Sequence, residues 1–180
     1  MAQITYREAV SRALREALKD ERVFMMGEDI GSYGGAFAVT KGLLAEYGPE
    51  RIRETPIAES VISGAGAGAA MAGLRPIVEL MTINFSFLAM DQIVNHAAKV
   101  RYMSGGQLTC PLIIRTVTGG GASVGAPTLR AWRVGSPRCR ASVSRSHPHP
   151  TTLWAFSDPR CNRKTRLSSW NTPSSTAAEE

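Results

Sequence analysis

What this sequence has little of narrows its function first. It holds three cysteines, Cys110, Cys139 and Cys161, widely spaced and with no CxxC pair. That argues against a disulfide frame or a zinc site and predicts reduced thiols in a cytoplasmic setting. Long apolar runs are missing as well: Asn, Asp and Lys interrupt the longest ones, so no membrane association is expected. The opening "MAQITYREAV" has no basic segment leading into an apolar core, so no secretion signal is expected. Histidine is scarce. His96 falls in a helical stretch, and His147 and His149 stand among prolines without a metal framework. No Ser-His-Asp or Cys-His arrangement can be assembled from what is present.

Acidic residues are scarce in one part of the chain only. The formal net charge is +6, yet residues 1–126 carry twelve Lys plus Arg and twelve Asp plus Glu. The whole basic excess therefore lies in residues 127–180, together with Trp132, Trp154 and Trp170. Two compositions meet near residue 126. A basic tail can bind nucleic acid or an acidic surface. The preferred reading is a tail without designed function, for a reason given below, so no nucleic-acid partner is expected.

Within residues 1–126, helical and strand signals alternate. "TYREAVSRALREALK" places Ala9, Ala13, Leu14, Ala17 and Leu18 at helical spacing, with Thr5 as N-cap and Glu8 three residues on. "RVFMMGED" is a short apolar run ending in acids, which suits a buried strand opening into a loop, here the glycine loop "GSYGGAF". "TKGLLAEYG" predicts a helix capped by Thr40 and stopped by Gly48. "RIRETP" reads as a short strand or a loop halted by Pro56, and "LRPIVELM" and "CPLIIRTV" read as further short strands. "NFSFLAMDQIVNHAAKVRYMSGG" predicts one long helix with Phe87, Met90, Ile93, Val94 and Ala97 on a face; Phe85 and Phe87 are expected in the core. The alternation predicts an α/β fold, a parallel sheet flanked by helices. Ligands in such folds meet the carboxyl ends of strands, where Glu28, Glu59 and Glu79 fall.

"ESVISGAGAGAAMAG" admits more than one reading. Gly64, Gly66 and Ala69 satisfy G-x-G-x-x-A, and Glu79 stands where a ribose-binding acid could follow. The preceding "SVIS" is too short for the central strand that a Rossmann fingerprint requires. A close-packed helix with no ligand is the alternative. Glu59 would then be an acid at a helix N-terminus, favourable by about 0.3–1 kcal/mol.

The segments "FMMGEDIGSYGGAFAVTKGL", "RIRETPIAESVISGAGAGAAMAGLRPIVELM", "NFSFLAMDQIVNHAAKVRYMSGG" and "PLIIRTVTGGGASVGA" occur in that order. Together they resemble the beta subunit of the thiamine-dependent 2-oxo acid dehydrogenases, of which the pyruvate dehydrogenase decarboxylating component is the best-known member. The resemblance covers residues 2 to 126. It implies a domain, residues 1–126, that binds the aminopyrimidine half of thiamine diphosphate. An alpha subunit would hold magnesium and the diphosphate through a GDG-type motif that this chain lacks, in an alpha2-beta2 tetramer. A lipoyl acyltransferase would dock on a C-terminal domain. By the same resemblance Glu59, in "TPIAE", matches the glutamate that hydrogen-bonds N1′ of the pyrimidine. Glu28, in "GED", matches an acid near that site. Met81 and Phe85 match apolar groups packing on the ring. The chain itself provides no metal ligands in this reading.

The resemblance stops after "SVGA". A Gln-His-Ser segment would follow in the family, and Thr128 stands at the histidine's place. Taking the third base of each codon with the first two of the next, "SDPRCNRKTRLSSWNTPSST" permits "SAMQPENPPVFLEHPVLY" after its first residue. "TTLWAF" permits "DALGL", and "TLRAWRVGSPRCRAS" permits "SQSLEGWFASVPGL". These alternatives resemble the segment that the family places here. Residues 127–180 are therefore expected to be an out-of-frame translation and disordered. The chain is expected to be a truncated beta subunit, inactive alone, with a fragment that only binds an alpha subunit as the alternative.

Overall fold

The structure is a computed structural model that describes residues 4–117 and two later strands, β5 (Ser142–Arg145) and β6 (Thr151–Ala155). The first helix, α1 (Tyr6–Ala17), begins as its sequence predicts. Glu8 N donates to Thr5 Oγ1 at 3.3 Å, and Thr5 N donates to Glu8 Oε2 at 2.8 Å, a reciprocal cap. Past the end of the helix, the Arg51 guanidinium donates to the carbonyl of the C-cap Leu18 (2.7 Å), which a helix end leaves open, and to those of Asp20 (2.8 Å) and Val23 (2.6 Å) on the way into the sheet.

Four parallel strands follow: β1 (Val23–Gly27), β2 (Ile52–Glu54), β3 (Arg75–Glu79) and β4 (Ile113–Val117), in the order β2-β1-β3-β4. The central strands are largely apolar because both faces of the sheet are covered, whereas the edge strand β2 buries only Ile52. Alternation divides them. Val23, Met25, Ile52 and Ile77 pack against Leu14 and Leu18 of α1 and against Ile30, Val39 and Leu43. Val78, Leu80, Leu112 and Ile114 face the other way, onto Ile62, Ala67 and Ala70 of α3 (Glu59–Met71). Gly66 makes this approach possible: a Cβ there would lie 2.5 Å from Val78 Cγ2 and 3.2 Å from Leu112 Cδ1. The α/β expectation, a parallel sheet flanked by helices, holds. Beyond β4 the sheet continues with β6 and β5, both antiparallel to their neighbours. The expectation that residues 127–180 are disordered otherwise lies outside the described residues.

Three expectations are corrected. The helix after Thr40 is the short α2 (Leu43–Tyr47), capped by Gly42 rather than Thr40; Gly48 does stop it, at φ 78°. The glycine loop extends further than expected, and its closing bond from Thr40 N to Gly34 O (3.2 Å) takes Thr40 out of the cap position. The long helix is three pieces: a 3₁₀ segment (Ile83–Ala89), a π-helical segment (Asp91–Ala97) and α4 (Val100–Met103). The wider π winding, with Ala98 N donating to Ile93 O at 3.0 Å, keeps residues four apart in line. Ala89, Ile93 and Ala97 all reach the core in this way. Phe85 and Phe87, expected in the core, are 36% and 48% exposed, because the 3₁₀ turn buries Ile83, Ser86 and Ala89 instead.

Candidate active site

The carboxyl ends of the parallel strands carry the polar residues that the core excludes. Register aligns Glu54, Gly27, Glu79 and Arg115 in one row across β2, β1, β3 and β4. Residues in one row of parallel strands share a face. At the centre of the row Arg115 Nη1 lies 2.5 Å from Glu79 Oε2, with both side chains buried. Gly27 has no side chain because a Cβ would lie 2.7 Å from Glu79 O.

One residue further along, the chain turns to the opposite face, toward the start of α3. Glu28 follows β1, and Thr55 N donates to Gly27 O at 3.0 Å, continuing the β1–β2 pairing. Glu28 is half-buried. Its carboxyl is held above the ordinary range, first by burial, then by the charges of Asp29 and Glu59. Glu59 opens α3 and is 7% exposed. No hydrogen bond occupies its carboxylate among the described residues, and Ser63 Oγ, one turn on, and Thr55 Oγ1 are buried without partners. A largely buried carboxyl with no internal donor among the described residues can share a proton with a ring nitrogen. To that extent these residues fit an aminopyrimidine.

Met81, two residues past β3, is half-buried, and Phe85 lies in the 3₁₀ segment that packs against α3. The three expected carboxylates do share one edge of the sheet, with a division: the charge of Glu59 acts on Glu28, whereas Glu79 forms an ion pair with Arg115. The Rossmann reading fails on position. Gly64, Gly66 and Ala69 lie inside α3, not in a strand-to-helix turn, so they present no loop to a pyrophosphate. The Arg115 partnership was missed at the sequence level. Its signal was a charged residue inside the apolar run "PLIIRTV", which burial obliges to find a counter-charge. Thr128 lies outside the described residues.

Elsewhere, a cleft of about 460 Å³ opens at the outer edge, lined by Leu44, Pro49, Glu50, Ile52, Arg53 and Glu54. It includes none of Glu28, Glu59, Met81 or Phe85. Among the described residues there is no cluster of His, Cys, Asp and Glu that could hold a metal ion, and no helix is long and apolar enough to cross a membrane.

Comparison with known proteins identifies the family. The family described as "Transketolase, pyrimidine binding domain" matches residues 2–128. "Pyruvate dehydrogenase E1 component subunit beta" of Rickettsia bellii is 53% identical over 125 residues, 69% of this chain and 38% of that protein. "Pyruvate dehydrogenase E1 component subunit beta, mitochondrial" of Pisum sativum is 53% identical over 125 residues, 69% of this chain and 35% of that protein. Among solved structures, "Split gene transketolase, inactive beta4 tetramer" is similar at TM-score 0.44 and 24% identity, over 54% of this chain and 31% of that one. The chain thus spans 38% and 35% of the length of the two curated relatives. On the match over residues 2–128, the chain belongs to the family of transketolase-type pyrimidine-binding domains.

Proposed function

We propose that the chain is the pyrimidine-binding part of a beta subunit of a 2-oxo acid dehydrogenase, of the kind that decarboxylates pyruvate and passes the acyl group to a lipoyl arm. The observation that carries the reading is the buried carboxylate of Glu59, at the head of α3, beside Glu28 and without an internal donor. Glu59 would hydrogen-bond N1′ of the aminopyrimidine, donating its proton to the bare ring nitrogen and accepting from it once the proton has moved. Glu28 would add a second carboxyl at this edge, one that keeps its proton to higher pH. Met81 and Phe85 would pack on the ring and exclude water. Thiamine diphosphate, when bound, supplies the nucleophilic carbon and the electron sink that decarboxylation needs. The protein's share is to orient the ring and manage one proton, assistance typically worth about 10²–10⁴-fold in rate.

The remaining parts of the machinery belong to partners. An alpha subunit would provide magnesium and diphosphate ligation in an alpha2-beta2 assembly, and the lipoyl acyltransferase would dock on a C-terminal domain. We place the protein in the cytoplasm, although the pea relative's name reads mitochondrial. The second reading, a fragment that binds an alpha subunit without turnover, is favoured by one observation: Thr128 stands where the resemblance calls for a histidine, and the sequence after it is foreign.

Thermal unfolding of the chain mixed with an alpha subunit tests the cofactor reading. Thiamine diphosphate with magnesium should raise the midpoint, and NAD should not. No rise with thiamine diphosphate would overturn it. Decarboxylation by the same mixture separates the two readings: binding without turnover selects the fragment.

A further inference from the structure

Glu79 and Arg115 form an ion pair that the proposed chemistry does not use. Their side chains are 8% and 3% exposed, side by side on β3 and β4. A buried ion pair is poor evidence for stability, because desolvation offsets much of the attraction. The surroundings suggest another use. Glu79 Oε1 lies 3.8 Å from where a Cβ on Gly35 would sit, and Thr40 Oγ1 lies 2.8 Å from that same point. The carboxylate thus lies beside the glycine loop, near Gly35. Gly35, at φ 81°, donates its amide to Asp29 O at 2.8 Å. Asp29 has φ 54°, a left-handed conformation uncommon outside glycine, which Asp adopts more readily than most residues. Asp29 directly follows Glu28, so its conformation sets the direction in which the chain leaves that carboxyl.

We propose that Glu79, clamped by Arg115, is a positioning residue: it supports Gly35, which holds Asp29 left-handed and thereby keeps Glu28 turned toward Glu59. The proposal rests on the reading of Glu28 and Glu59 as the acidic pair of the cofactor site. It goes beyond that reading by assigning the second, paired carboxylate of the same edge. The charges acting on Glu28 are those of Asp29 and Glu59. Glu79 faces Arg115, and Glu54 is engaged by Ser32, whose amide donates to Glu54 Oε2 at 3.1 Å. Neither Glu79 nor Arg115 acts on Glu28 directly, so an effect of their removal on Glu28 must travel through the loop.

The test is a ¹³C NMR titration of the Glu28 carboxyl in the full chain without cofactor, the signal being assigned by its loss in Glu28→Gln. In the parent chain the midpoint should lie above the ordinary carboxylate range. The double variant Glu79→Gln/Arg115→Met removes both charges and leaves none buried alone. Its Glu28 midpoint should fall toward the ordinary range while circular dichroism stays that of the parent. If the double variant does not fold, Gly35→Ala provides a second arm. It keeps the ion pair, forces a Cβ onto Thr40 Oγ1, and should lower the midpoint in the same way. A Glu28 midpoint that stays raised in a folded variant of either kind would overturn the proposal and leave the pair a plain structural contact. Failure of the cofactor reading would be seen in the thermal assay with thiamine diphosphate, independently of this titration.

Discussion

The charge of Glu59 helps raise the carboxyl of Glu28, after burial and the charge of Asp29, although 31 positions separate the two in sequence. The end of β1 and the start of α3 bring them together. A carboxyl raised in this way keeps its proton to higher pH, which is useful where a proton has to be held.

This relationship predicts a pH dependence. The carboxyl of Glu28 is raised in the folded chain, so the native state holds that proton at pH values where the unfolded chain has released it. Stability should therefore fall as pH rises from the ordinary carboxylate range through the raised value, and the penalty is complete above it. Glu28→Gln should remove this part of the slope and raise the urea midpoint at neutral pH relative to the parent. Urea titrations from acid to neutral pH check it; parallel curves for parent and variant would contradict it.

The glycines of α3 should divide sharply. A methyl at Gly66 meets Val78 Cγ2 at 2.5 Å, on a fully buried, β-branched side chain that cannot turn aside. Gly66→Ala should cost about 1–3 kcal/mol through overpacking. Gly68 has nothing within 4 Å of its Cβ position. Gly68→Ala should stabilise the chain by up to about 1 kcal/mol through helix propensity. Chemical denaturation of the two variants should move the midpoint in opposite directions.

These contrasts mark how far the sequence could be read. The Thr5–Glu8 cap, the four apolar strand runs and the small-residue helix headed by Glu59 all rest on local patterns, and each recurs in the structure. The break of the expected long helix was hidden. Residues 83–103 contain neither proline nor glycine, and the π winding answers a tertiary demand, seating Ala89, Ile93 and Ala97 against α3. The Glu79–Arg115 pair was hidden for a similar reason. Its partners are 36 positions apart, and strand register, which no local pattern reveals, makes them neighbours. At the candidate site the residue types were legible; the division of three carboxylates between two faces of the sheet was not.

The out-of-frame reading of residues 127–180 makes a prediction about DNA. One surplus base relative to a family member should lie across codons 124–130. Its removal should open "GAQHSQSLEGW" and a family-like continuation, with a histidine at the place of Thr128. Resequencing checks it. If no one-base change there opens such a frame, the tail needs another origin.

The central claim, that Glu59 handles the proton of the cofactor's pyrimidine ring, is tested most directly by turnover of Glu59→Gln. The variant is made in the frame-restored subunit assembled with an alpha subunit. Glutamine keeps the size and removes the shared proton, so decarboxylation should fall by about 10²–10⁴-fold. The loss should appear in kcat, with KM for the 2-oxo acid little changed. An unchanged kcat would contradict the account.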